Sequence, residues 1–293
     1  MRNALRSIYQ LIPFKGPVFK LLKQVWKPKE SVYKHLHFKG IINVQIEKGS
    51  RFKMHHVGHQ IENELFWDGI ENAWEKLSIG LWIQLSKKAN VILDIGAYSG
   101  LYSLTSAALN PEARVYSFEP MEHNFRLFNR NIRLNQFNTI VPVQKACSNF
   151  TDKAIVYTKK NTTLTTSVTV NKSLFDSNKD LEVVPIETIR LEDYYKQEGI
   201  EGLDLIKIDV ETHEYEVLQG MGDLIRQYKP TFLIEVLNDD VAKNIESILN
   251  GLGYLYFDID ELSEIKQVTH IRKSSYYNYL VCQESVAKDL QLI

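Results

Sequence analysis

The stretch VILDIGAYSG, Val91 to Gly100, decides the fold of this chain. Three β-favouring apolar residues lead to Asp94, and Gly96 and Gly100 then bracket a short break. A short apolar run closed by a carboxylate and a glycine turn reads as a strand passing through a tight loop into a helix. Open sheets built from such units bind ligands just beyond the carboxyl ends of their strands. The residues that close each strand are therefore the ones to inspect.

Outward from this loop the pattern alternates. Strands are expected at 91–95, 113–118, 140–144, 203–209, 231–237, 254–258 and 276–282, and helices near 99–109, 121–135, 212–220 and 239–251. That order belongs to an α/β domain whose mostly parallel seven-stranded sheet is covered by helices on both faces. The domain would run over 91–293, interrupted at 151–189 by an inserted hairpin and a polar loop. Before it, 38–90 reads as an α+β cap: a hairpin over 38–57 turning at Lys48-Gly49-Ser50, then one helix over 62–85 with a stripe of Leu65, Trp74, Leu77, Leu81 and Leu85. Residues 1–37 form a basic extension in which Val18, Phe19, Leu22, Val25 and Trp26 recur at helical spacing.

Composition, 44% hydrophobic and 24% charged over 293 residues, is that of a globular protein. A net charge of −1 argues against a general nucleic-acid binder. The average hides an asymmetry, because residues 1–30 carry seven basic side chains against Glu30. That end packs on its own domain or makes weak peripheral contact with an anionic membrane surface. Cys147 and Cys282 form no CxxC pair, and there is neither a bilayer-length apolar run nor a secretory h-region, so the expected location is the cytoplasm, with the inner face of the membrane for the basic end.

The strand tips carry the chemistry. A pyrophosphate loop would avoid an anion at Asp94, since the following helix N-terminus attracts phosphate. A carboxylate there suits a ligand with a cationic portion, or caps the helix. The second strand ends at Glu119-Pro120, 25 residues after Asp94, where a carboxylate accepts hydrogen bonds from both ribose hydroxyls. An adenosine ligand bearing positive charge in place of phosphate is S-adenosylmethionine. Further along, Asp209 closes the fourth strand with Glu211 and His213 behind it, and Glu235 closes the fifth ahead of Asn238, Asp239 and Asp240.

On these residues the chain resembles the FkbM family of methyltransferases. The likeness covers about 38–282 and rests, in order, on LFWDGIENAWE, ILDIGAYSGLYSL, VYSFEPMEHNFRLFNRNIRLN, KACSN, LIKIDVETHEYEVLQGM and PTFLIEV. It implies a Rossmann-like class I fold, S-adenosylmethionine as cofactor, and O-methylation of a sugar, glycan or secondary-metabolite hydroxyl. Asp94, Gly96, Ala97, Tyr98, Ser99 and Gly100 would line the methionine and ribose, Glu119 and Pro120 would hold the ribose hydroxyls, and Ala146 and Ser148 would lie near the adenine. Asp209 would sit close to the sulfonium, and Glu75 would take a lesser cofactor role. Two positions depart from the pattern: Tyr98 stands where Asn is frequent, and Thr212 where Gly is frequent, although threonine rarely takes positive φ.

Methyl transfer to a hydroxyl requires one proton to be removed. Three routes fit: His213 as base, Asp209 as base with His213 as relay, or Mg²⁺ held by Asp209, Glu235 and Asp239, the last not favoured because Asp239 is placed to cap a helix. Rival classes are a nicotinamide dehydrogenase, which lacks its G-x-G-x-x-G here, a methyltransferase acting on nucleic acid or protein, and a non-catalytic binding or assembly module on the same fold.

Overall fold

Alternation in GIINVQIE puts Ile42, Val44 and Ile46 on the buried side of a strand and their polar neighbours outside. This strand, Gly40–Glu47 (β1), pairs antiparallel with Ser50–His56 (β2), and Gly49 turns between them at a φ of +97°. Helices Lys15–Val25 (α1), Glu30–Tyr33 (α2) and Gln60–Trp67 (α3) accompany the hairpin. The computed structural model describes residues 14–159 and 181–293, and this hairpin belongs to the first of two compact units, Met1–Trp74. The first thirteen residues of the basic extension, with Arg2 and Arg6, and the segment 160–180 of the expected insertion lie outside the described residues.

The single helix expected over 62–85 is two. Helix α3 stops at Trp67, Gly69 takes a φ of +80°, and a second helix, Lys76–Ser86 (α4), begins only after Glu75. Asp68-Gly69 is a turn signal that the apolar periodicity on either side conceals. Trp74 falls between the helices and is 57% exposed, so it belongs to no core stripe.

Glu75–Ile293 forms the second unit. Its sheet comprises β3 (Val91–Ile95), β4 (Arg114–Phe118), β5 (Ile140–Val143), β9 (Leu205–Ile208), β10 (Thr231–Glu235), β11 (Tyr254–Ile259), β12 (Ile265–Val268) and β13 (Asn278–Gln283). The seven expected strands are all present, and β12 adds an eighth. Their spatial order is β12-β11-β13-β10-β9-β3-β4-β5. Neighbours from β10 through β9, β3 and β4 to β5 are parallel, while β13 runs antiparallel to both β10 and β11. Order and direction are those of a Rossmann-like class I methyltransferase sheet. The chain builds outward from β3 to β5 and then returns to lay β9 on the other side of β3, which makes the β3–β9 seam the topological switch point.

Continuous apolar runs suit strands buried on both faces, and every residue of β3 and β9 is buried. Helices Leu101–Leu109 (α5) and Glu122–Asn135 (α6) follow β3 and β4; Leu191–Glu198 (α7), Glu214–Met221 (α8), Leu224–Tyr228 (α9), Asp239–Leu249 (α10) and Glu284–Asp289 (α11) complete the cover. A large cluster including Leu93, Phe118, Ile206, Val217, Phe232 and Val281 forms the core. Apart from the main sheet, Ala146–Cys147 (β6), Lys153–Lys159 (β7) and Leu181–Ile189 (β8) form a three-stranded sheet in the order β6-β8-β7, so the arms of the insertion pair as a hairpin.

Candidate active site

Asp94 is 2% exposed, and its carboxylate turns into the helix that follows it. It accepts the Ser103 main-chain N–H at 3.0 Å and the Ser103 hydroxyl, and that hydroxyl lies 2.7 Å from Ser117 Oγ. Burial pushes the Asp94 carboxyl up to about 6 against the opposing pull of Ser103 and Lys207. Gly96 is dictated by neighbours: a Cβ there would stand 1.9 Å from the Asp209 carbonyl oxygen, and φ is +87°. At Gly100 a Cβ would stand 2.2 Å from the Phe128 ring. Both glycines thus admit protein atoms, and this packing holds the loop in place. Between them, Gly96 and Ala97 donate to the Phe118 carbonyl, Tyr98 adopts a φ of +50°, and the Ser99 hydroxyl is buried with no hydrogen-bond partner.

Glu119 closes β4 and is 5% exposed. One carboxylate oxygen accepts the Tyr98 N–H at 2.9 Å, and the other accepts the Met121 N–H at 2.9 Å and Asn124 Nδ2 at 3.3 Å. Burial raises this carboxyl to about 7. Pro120 beside it is half-buried.

Across the seam stands a residue that strand periodicity passes over. Lys207, in the middle of β9, is 1% exposed; its Nζ donates to Asp209 Oδ2 at 3.3 Å and sits 5.3 Å from the centre of the Tyr102 ring. Burial opposes its charge, but Asp209, Glu75 and Glu235 outweigh burial and hold the ammonium above the usual lysine range. A lysine inside an otherwise apolar central strand is itself a signal, since buried lysines occur almost only when paired. Glu75 accepts the Tyr102 hydroxyl at 2.6 Å and Asn278 Nδ2 at 2.7 Å. Tyr102 and Asn278 were not legible as site residues, because their partners lie far away in sequence.

Beyond Asp209 the backbone is strained. Glu211 and Thr212 take φ of +55° and +76°, the Thr212 hydroxyl is buried without a partner, and so the position where glycine is frequent keeps its glycine-like conformation while carrying a β-branched residue. Glu214 is fully buried; one oxygen accepts the Val210 and Thr212 N–H groups at 3.3 and 3.2 Å, and the other has no partner. Burial lifts its carboxyl to about 8. Burial and the nearby Asp209 charge push Glu235, at the end of β10, strongly upward.

His213 is engaged within the protein: Nε2 lies 3.0 Å from Ser148 Oγ and Nδ1 3.4 Å from Glu216, and burial lowers its basicity. Ser148 is fully buried, its N–H donates to the Ile189 carbonyl, and a Cβ at Gly220 would stand 1.9 Å from the Ser148 carbonyl oxygen. Ala146 is half-buried and pairs with Thr188. Asp239 is exposed on the first turn of α10 and accepts the Lys273 N–H at 2.8 Å. Among the described residues no three His, Cys, Asp or Glu side chains are grouped to hold a metal ion.

The sequence model described as the methyltransferase FkbM domain matches residues 94–256, more than half of the chain. The chain belongs to the FkbM methyltransferase family. The matched span opens at Asp94 and contains every strand tip described above. Methyltransferase sdnD of Sordaria araneosa is 27% identical over 188 residues, which are 56% of this chain and 73% of that protein. Methyltransferase 1 of Beauveria bassiana (strain ARSEF 2860) is 23% identical over 145 residues, covering 45% of this chain and 58% of that one. A solved methyltransferase FkbM from Methylobacillus flagellatus KT aligns over 66% of this chain and 43% of its own, at 15% identity and a TM-score of 0.42. Aeropyrum pernix fibrillarin, solved with S-adenosylmethionine bound, aligns over 84% of this chain and 94% of its own, at 15% identity and a TM-score of 0.41. This FkbM chain therefore spans less than half of the solved FkbM structure and 58% of the Beauveria protein.

Proposed function

We propose that this chain is an S-adenosylmethionine-dependent O-methyltransferase whose acceptor is a sugar, glycan or secondary-metabolite hydroxyl. One observation carries the reading: around the switch point, Asp94, Glu119, Asp209 and Glu235 crowd the strand tips with Lys207 as the cation beside Asp209. The fit to the cofactor follows from this donor set. Asp94 and Glu119 are raised by burial to about 6 and about 7, and a ligand carrying an ammonium and a sulfonium would relieve that cost. The buried, unpartnered Ser99 hydroxyl in the same loop is a further group a ligand could satisfy. Glu119 would hold the ribose hydroxyls, and the Gly96–Tyr98 loop would lie along the methionine portion.

When bound, S-adenosylmethionine supplies a methyl group on positively charged sulfur, so the protein has to orient the acceptor, exclude water and take up one proton. Asp209 is assigned that proton. It closes the strand beside the switch point, its side chain is 36% exposed, and Lys207 holds it as an ion pair. Glu235, pushed upward by burial and by Asp209, is kept protonated and donates a hydrogen bond to the acceptor. His213, engaged by Ser148 and Glu216, positions the turn that carries Asp209.

Calorimetric titration with S-adenosylmethionine tests the cofactor site. Micromolar binding by the full chain, weakened at least about tenfold by Glu119→Ala, is expected; equal affinity in both proteins refutes the assignment. Mass spectrometry of surface glycans and of extracted small metabolites from a deletion strain tests the acceptor class: loss of an O-methyl mark in either supports it, and unchanged methylation profiles in both remove it.

A further inference from the structure

Helix α1 is apolar on two sides. One side faces its own unit: Gly16 and Phe19 are buried, Phe19 packs against Phe38 and Trp67 with ring centres 5.9 and 5.6 Å apart, and Lys23 donates to the Phe66 carbonyl. On the other side Phe14, Val18, Leu21 and Val25 are 77, 48, 67 and 86% exposed, and Leu22 extends the stripe at 36%. At about 100° per residue Val18, Leu21, Leu22 and Val25 fall within about 100° of arc, roughly opposite Gly16, Phe19 and Lys23, and Phe14 precedes them at the N-cap. Ordinary amphipathic helices bury their apolar stripe and show solvent a polar one. Here the buried stripe is met and a second is left open, with Trp26 at its end 41% exposed.

Charge indicates the occupant. Lys20, Lys27, Lys29 and Lys34 are all exposed within one short segment, and Glu30 is the only acidic residue between Phe14 and Lys34. A second copy of this chain would bring a like-charged helix to the same face and meet repulsion. An anionic lipid surface meets both features, because acyl chains take the apolar stripe and headgroups take the lysines. We propose that α1 lies in the interface of an anionic membrane, with Phe14, Val18, Leu21 and Val25 as its buried edge. Among the described residues no helix is long and apolar enough to cross a bilayer, so this contact is peripheral. It holds the protein at a surface.

Vesicle flotation of the full chain tests the proposal, using mixed phosphatidylglycerol and phosphatidylcholine vesicles beside phosphatidylcholine alone. Wild type is expected to float with the anionic vesicles and to be released in about 0.5 M salt, where the Debye length is only about 4 Å. Leu21→Glu with Val25→Glu should lower flotation at least about tenfold, and Lys20→Glu with Lys27→Glu by a similar factor. All four side chains point to solvent, so circular dichroism and the thermal midpoint serve as fold controls. Equal flotation of the Leu21/Val25 variant, or equal flotation with neutral vesicles, overturns the proposal. So does a dimer in sedimentation that the same two substitutions dissolve, because the stripe would then belong to a second copy.

Discussion

The two halves of the strand-tip site are built by opposite means. On the β3–β4 side, Asp94 and Glu119 spend their oxygens on main-chain N–H groups and on Ser103 and Asn124, so each carboxylate is fixed before any ligand arrives. On the β9–β10 side, Asp209 shares the only buried lysine of the seam, two consecutive non-glycine residues hold positive φ, and polar atoms of Thr212 and Glu214 are buried without partners. Satisfied hydrogen bonds characterise the first side; strain and crowded charge characterise the second, to which the proposed reading assigns the proton.

Substitutions can break that contrast. The largest effect is expected at the hinge between the halves: Gly96→Ala, whose Cβ would stand 1.9 Å from the Asp209 carbonyl oxygen, should cost about 4 kcal/mol or prevent folding. Urea unfolding within about 1 kcal/mol of wild type would show that the two loops are not locked together. Next, Lys207→Met should cost about 2 kcal/mol in urea unfolding by leaving the part-exposed Asp209 without its cation; a neutral outcome would mean that water already screens the pair.

Smaller and opposite in sign, Thr212→Gly should stabilise by about 1 kcal/mol by relieving positive φ and removing an unpartnered hydroxyl. The same substitution should lower the methylation rate if the strained turn positions Asp209, whereas a destabilised variant with full activity would erase the distinction between the halves. The subtlest test is pH. Glu119 titrates near 4.5 when unfolded and is raised to about 7 in the fold, so its contribution to stability is present below about 4.5 and is lost as pH climbs through 7. Glu119→Gln should flatten that decline in thermal midpoint, and an unflattened decline assigns the slope to the other carboxyls that burial raises, Asp94 to about 6, Glu62 to about 7 and Glu214 to about 8. Saturating S-adenosylmethionine should also flatten it, since a cationic ligand favours the ionised carboxyls.

Much of the fold was legible because the signals were local. Apolar runs gave the seven strands, Gly49 gave the hairpin, and Asp94, Glu119, Asp209 and Glu235 were found because strand tips can be read from the sequence. What stayed hidden needed neighbours. Asp94 faces Ser103, the space at Gly96 belongs to the Asp209 carbonyl, and Glu75 reaches Asn278 across the whole length of the unit. The break between α3 and α4 was signalled by Asp68-Gly69 and overruled by periodicity on either side. Lys207 is legible as an isolated charge inside an apolar run, a signal that strand periodicity alone does not weigh.

Close packing of Gly220 on Ser148 has a consequence for how such proteins diversify. Strand β6, with Ser148 just after it, is pinned to α8 and to His213, and β6 is also the root on which the inserted hairpin β7–β8 is registered. The base of the insertion is therefore pinned to the frame, and Val156 and Ile186 on its two arms pack with Met121. A hairpin exchanged between relatives beyond Thr158 and Glu182 would arrive already in register, because the pairing that aligns it lies in the part left behind.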